Sequence, residues 1–183
     1  MNNKQSIREA KRLQRKKLSH NQALSASIMV ASNLQKLMDW QEVKLLHCYL
    51  PIIPENEIDS TVFLDLLQES NKNIRLFCPL SKIKNKLVSV EMSDAMDLRS
   101  PTHQESSETS IKKFDVIIVP LIAFDKKLNR IGFGGGAYDR FLSSQKDAIK
   151  IGLGYEISRV EEIPAENHDI KLTYIVTEKA IYR

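Results

Sequence analysis

Long apolar runs are missing from this 183-residue chain. Nothing approaches the ~18 consecutive apolar residues that a membrane-spanning helix needs. No apolar core follows the charged N-terminus, so that segment does not read as a secretory signal. Cysteine is scarce. Cys48 and Cys78 are the only two, and both lie in apolar, strand-like stretches with neither CxxC spacing nor a histidine at metal-ligand spacing. This pattern speaks against a disulfide frame or a zinc site and for two buried thiols in a reducing cytoplasm. No Ser-His-Asp or Cys-His arrangement stands out. Evenly spread positive charge is lacking as well. Of 27 Lys and Arg, seven fall in residues 1–20 beside one acid, Glu9, while the rest of the chain carries 20 basic and 22 acidic residues. A near-neutral body with a basic N-terminal segment is not built to wrap nucleic acid, and no aromatics interleave with those basic residues.

Two helices are expected to open the chain, over about residues 1–40. Ser6 with Glu9, and Ser19 with Gln22, have the spacing of capping boxes. Ile7, Ala10 and Leu13 form a thin apolar stripe on the first helix, whose basic remainder reads as a solvated face. Leu24, Ile28, Ala31 and Met38 fall near one face of the second. Apolar, β-branched segments at 43–50, 74–78, 87–92, 114–119, 149–155 and 174–177 read as strands. Thr61–Ser70 reads as a helix capped by Asp59 or Ser60, and the polar stretch 99–113 as a surface loop. Strands alternating with helices predict one α/β domain over 1–183, with a largely parallel central sheet, mixed at its edges, in a three-layer α/β/α arrangement. Ligands of such sheets bind beyond the carboxyl ends of the strands, here the loops after Leu50, Val119 and Tyr155.

Glycine is also rare, and its distribution is uneven. Four of six glycines, Gly132, Gly134, Gly135 and Gly136, fall within five residues after a buried strand and before a short helix from Ala137. Such a cluster serves positive φ or the close approach of a ligand to backbone N–H groups, and a glycine turn opening a helix suits phosphate. Arg130 and Arg140 flank it. Asp139 is placed either to hold magnesium or to cap its helix. No GK[ST] follows, so this is not a Walker A loop, and the position late in the chain does not suit a dinucleotide fingerprint.

Asn129-Arg130-Ile131-Gly132-Phe133-Gly134-Gly135-Gly136-Ala137-Tyr138-Asp139-Arg140, preceded by Val119-Pro120-Leu121-Ile122-Ala123-Phe124-Asp125, resembles the signature of the 5-formyltetrahydrofolate cyclo-ligase (methenyltetrahydrofolate synthetase) family. Lys4-Gln5-Ser6-Ile7-Arg8, Tyr49-Leu50-Pro51, Glu57-Ile58-Asp59-Ser60, Pro164 to Asp169 and Val176-Thr177-Glu178 resemble further family segments in the same order. A sheet architecture like that of sugar-phosphate isomerases and CoA transferases is implied. So is closure of 5-formyltetrahydrofolate to 5,10-methenyltetrahydrofolate with ATP and Mg2+, through a phosphorylated formyl group, releasing ADP and phosphate. Carried over residue by residue, the resemblance gives ATP contacts at Lys4, Arg8 and Arg130 through Tyr138, with charge stabilisation by Lys4, Arg8 and Arg130. It gives folate contacts at Leu50, Glu57 and Phe133 to Ala137, and magnesium at Asp139 and Asp169. Ala137 stands where the family often has an aromatic. Arg15 reads as a weaker phosphate candidate or a salt-bridged residue, and His168 as a loop-positioning one. The expected partner is the folate, with or without a polyglutamate tail, and neither nucleic acid nor membrane; a monomer is expected.

Overall fold

The computed structural model describes residues 3–83, 86–92 and 113–183. Nearly all of the polar stretch expected as a loop at 99–113 lies outside them. In chain order the elements are α1 (Lys4–Lys16), α2 (His20–Gln35), β1 (Leu45–Cys48), α3 (Thr61–Ser70), β2 (Arg75–Ile83), β3 (Lys86–Glu91), β4 (Val116–Pro120), β5 (Ala123–Phe124), β6 (Arg130–Ile131), α4 (Ala137–Ser143), β7 (Ile149–Leu153), β8 (Tyr174–Val176) and β9 (Ile181–Tyr182). Seven strands form one sheet in the order β3-β2-β1-β4-β7-β8-β9. Pairing is parallel from β2 to β8 and antiparallel only at the two edges, β2 with β3 and β8 with β9. The expected α/β class and mixed edges are thus observed. The ribbon β5–β6 is a separate two-stranded piece that short-range patterning did not announce.

β4 shows why the sheet is central. Its continuous β-branched run sends Val116 and Ile118 to one side and Ile117 and Val119 to the other, and all four are buried. On the first side α2 and α3 pack Val30, Leu34, Phe63, Leu64 and Leu67 over Leu46 and Cys48. On the second, Leu142 of α4 joins Phe77, Phe114, Phe124 and Leu172. Both cysteines are buried and unbridged. No helix of the described residues is long and apolar enough to cross a membrane.

Three local expectations change. Ser19 and Gln22 do form a reciprocal capping box at α2. Ser6 and Glu9 do not; Asn3 caps α1 by accepting from the Ser6 N–H, and Glu9 accepts from Gln5 instead. On α1, Ile7 is buried against Ala123, Ile131 and Ile163, but Leu13 is exposed and Arg15 is buried. The basic side of α1 therefore faces the protein: Lys11 donates to the Ile157 carbonyl, and Arg12 makes a two-pronged bond to Glu55. On α2, Leu24 and Ile28 are exposed, and the buried face is Ala26, Ser27, Val30, Ala31 and Leu34. Small residues on that face let α2 approach the sheet and α3 closely, which a larger apolar face does not.

Candidate active site

A cleft of ≈ 610 Å³ lies beyond the carboxyl ends of the central strands. Tyr49 and Leu50, just past β1, and Pro120, at the end of β4, form its floor with Pro79 of β2 and Leu87 of β3. Lys4 and Arg8 enter from α1. Arg130 through Asp139 contribute one whole wall, and Glu57, Glu166, His168 and Asp169 complete the lining. The residues to which the resemblance gave ATP, folate or magnesium contacts all line this cleft, although α1 and the glycine loop are more than a hundred residues apart; Arg15, the weaker phosphate candidate, does not.

The placement has local causes. Asp125 is fully buried, and its carboxylate accepts from the N–H groups of Lys127, Asn129 and Ile163 and from the Asn129 side-chain amide. That closes the turn between β5 and β6 and launches the glycine loop. Gly134 and Gly136 have φ of +96° and +61°, which only glycine adopts without strain. Arg8 donates from Nε to the Gly132 carbonyl at 2.8 Å, and a Cβ on Gly134 would sit 3.3 Å from the Arg8 guanidinium carbon. Across the cleft, Asn56 is left-handed (φ +48°) and donates to the carbonyls of Arg15 and Leu18, which ties its loop to the end of α1. Glu57 follows directly. Its Oε2 accepts from the Ile52 N–H at 2.7 Å, while Oε1 is buried without a partner. The Tyr49 hydroxyl donates to Ile58 O, and Ser60 Oγ to Tyr49 O, so α3 begins without the Ser60 side-chain cap; Asp59 accepts from Thr61 N–H.

The cations are paired with the acids. Lys4 Nζ donates to Asp169 Oδ2 at 2.6 Å and lies 3.1 Å from Glu166. Burial opposes the charge on Lys4, but the bonds to Asp169 and Glu166 prevail and raise its pKa; burial also opposes charge on Asp169, and Lys4 still holds its carboxyl below the usual range. Arg130 is buried, donates to Asp139 Oδ1 at 2.8 Å and also bonds the Ile170 carbonyl. Burial lowers its pKa and Asp139 resists that shift. Asp139 does not cap α4. Gly136 occupies the cap position with no side-chain bond, and Asp139 accepts from Arg130 and from the Ile170 N–H. Burial pushes the Glu57 carboxyl up, against the pull of the Ile52 N–H and of Arg15.

Phe133 is 40 % exposed at the cleft, with the guanidinium carbons of Arg12 and Arg15 5.7 and 5.8 Å from its ring centre. Tyr138 packs its ring edge-on to Phe141 and keeps its hydroxyl buried and unpartnered. His168 is mostly exposed, 3.4 Å from Glu166. Pro79, Leu87, Ile52 and Glu166 were not singled out from sequence; nothing in their local pattern marks them, because only the fold brings them to the cleft.

The family model described as the 5-formyltetrahydrofolate cyclo-ligase family matches residues 1–178. The chain belongs to that family. It is accordingly a ligase. A 5-formyltetrahydrofolate cyclo-ligase of Haemophilus influenzae is 29 % identical over 178 residues, covering 92 % of this chain and 94 % of its own. One of Mycoplasma genitalium is 33 % identical, with 88 % and 90 % covered. The NMR structure of the Aquifex aeolicus 5,10-methenyltetrahydrofolate synthetase superposes with a TM-score of 0.78 at 30 % identity, covering 98 % of this chain and 92 % of that one. The fold of this cyclo-ligase family member is therefore that of the solved synthetases.

Proposed function

We propose that the cleft closes 5-formyltetrahydrofolate to 5,10-methenyltetrahydrofolate with ATP as co-substrate. The observation that carries this reading is the convergence, in one cleft beside a glycine loop, of three cations from two distant segments, opposite a buried carboxylate with an unfilled acceptor. The formyl group on N5 is amide-like and a poor electrophile. Transfer of the terminal phosphoryl group to its oxygen makes that oxygen a leaving group. N10 then attacks the formyl carbon, the ring closes, N10 releases its proton to solvent, and phosphate departs beside ADP. Such transfer needs positioning and charge neutralisation more than a protein nucleophile.

Lys4, Arg8 and Arg130 are the residues for the polyphosphate. All three now rest on protein acceptors, which an incoming polyanion would displace. The open backbone along Gly132 to Gly136 lets phosphate and folate approach closely, and Leu50, Phe133 and Tyr138 offer apolar and aromatic walls to the folate rings. Glu57 is the acceptor for ring N–H donors. Asp139 and Asp169 suit magnesium: each commits one oxygen to a cation and retains the other, and this metal is commonly held by one or two carboxylates together with phosphates. Magnesium bound there supplies charge neutralisation for the phosphates. A monomeric, cytoplasmic enzyme, acting on folate with or without a polyglutamate tail, completes the reading.

The direct test is to mix the purified protein with 5-formyltetrahydrofolate, ATP and magnesium and follow near-ultraviolet absorbance of the methenyl product. Product is expected only with all components present. Its absence from the complete mixture rejects the reading.

A further inference from the structure

Arg15 has no place in the chemistry above, yet its environment is unusual. The side chain is 2 % exposed. One nitrogen makes a long 3.4 Å bond to the Leu121 carbonyl, another lies 3.7 Å from Glu55, and neither Nε nor Nη2 has a hydrogen-bond partner. Buried cations with unfilled donors are uncommon, and their desolvation often outweighs any gain in stability. Arg15 borders a small space too tight for water, lined also by Leu121 and Tyr155 and sharing Tyr49, Glu57 and Pro120 with the cleft. Glu57 thus stands between the two together with Tyr49 and Pro120, and its Oε1 has a matching deficit. A guanidinium short of acceptors and a carboxylate short of donors border the same dry space, one from α1 and one from the loop before α3.

We propose that Arg15 is a positioning residue for folate binding: it holds Glu57 ionised, so that the carboxylate accepts the adjacent N–H donors of an aminopyrimidine ring. The proposal rests on the folate reading above. Burial by itself favours protonated Glu57, which would turn an acceptor into a donor; the Ile52 N–H and then Arg15 oppose that, and Glu55 favours it further. The other groups facing Glu57 are the phenols of Tyr49, Tyr138 and Tyr155, all kept neutral by burial, Tyr155 with its pKa pushed up to about 12. The remaining charges of the cleft come from Lys4 and Arg8 on α1, Arg130 and Asp139 around the glycine loop, and Glu166, His168 and Asp169 after β7.

The test is calorimetric binding of 5-formyltetrahydrofolate without ATP, from about pH 5 to about pH 8. Wild type, Arg15→Met, Arg15→Lys, Glu57→Gln and the Arg15→Met/Glu57→Gln double variant are compared, each with a thermal melt. Wild-type affinity is expected to rise with pH along a limb belonging to Glu57. Arg15→Met should move that limb up by about one pH unit, giving roughly tenfold weaker binding at the acid end and convergence at the alkaline end. Arg15→Lys should restore the limb. Glu57→Gln should abolish it and make Arg15→Met silent. A structural role alone would lower melting temperature and leave the limb in place. An unshifted limb in Arg15→Met, or an equal loss in the Glu57→Gln background, overturns the proposal. If Arg15→Met does not fold, Arg15→Gln against Arg15→Lys makes the same comparison. Wild type that binds no folate overturns the functional reading together with the proposal, whereas wild type that binds beside an unshifted Arg15→Met limb overturns the proposal alone.

Discussion

His47→Leu should make the protein less sensitive to acid. His47 lies on β1 with its ring against Phe114 and Phe141, at centroid distances of 5.3 and 4.8 Å. It is fully buried and neither ring nitrogen has a partner. Burial lowers its pKa from 6.5 to about 3. The unfolded chain therefore takes up a proton as pH falls through 6.5, and the folded chain does not until about 3. More protons are bound by the unfolded state, so stability falls with falling pH, by about 1.4 kcal/mol per unit once well below the unfolded value. Between about pH 8 and about pH 4.5 the loss from this residue alone is about 2.7 kcal/mol. Carboxylates also titrate there, but they are common to both proteins and drop out of the difference. Urea unfolding of wild type and His47→Leu at the two pH values reads that difference, provided the slope with urea is unchanged. Relative to wild type, the variant should gain about 2.7 kcal/mol on going to the acid value. A difference that stays constant with pH would show that the buried imidazole accepts a proton in the folded state and refute the argument.

Two further outcomes are expected. Asp139→Asn should abolish magnesium-dependent turnover and also destabilise the fold by about 2 kcal/mol, since buried Arg130 loses its counter-charge while the carboxylate is partly exposed; denaturant titration beside the turnover assay checks both, and retained turnover would remove Asp139 from the metal site. Gly134→Ala should cost about 1–2 kcal/mol through its positive φ and press on the Arg8 guanidinium, loosening its bond to the Gly132 carbonyl. The apparent affinity for ATP should fall more than that for folate, and an unchanged KM for ATP would count against Arg8 as a phosphate ligand.

Some of this was legible along the chain because the physics is local. β4 is a run of β-branched residues with no polar face, so it must be covered on both sides wherever it lies. The Ser19–Gln22 box needs only a three-residue spacing. The glycine loop stands out because clustered glycines serve backbone geometry and not packing, and the segments quoted for the family are contiguous. These features determined the fold class, the sheet centre and part of the cleft lining; Ile52, Pro79, Leu87 and Glu166 reach it only through the fold.

Other features depend on what an element docks against. α2 carries apolar residues on more than one face, and contact with α3 and the sheet selected the one rich in alanine and serine, leaving Leu24 and Ile28 in solvent. α1 has so little apolar surface that periodicity assigned its cations to water. Docking on the β5–β6 ribbon and against Glu55 turned Arg12 and Arg15 inward instead. Asp139 had a magnesium or a cap role by sequence; the structure removes the cap and gives it a buried arginine. The seven basic residues near the N-terminus have no individual fates in a charge count. Desolvation and the nearest acceptor, carboxylate or backbone carbonyl, decide them one at a time, and both are properties of the folded chain.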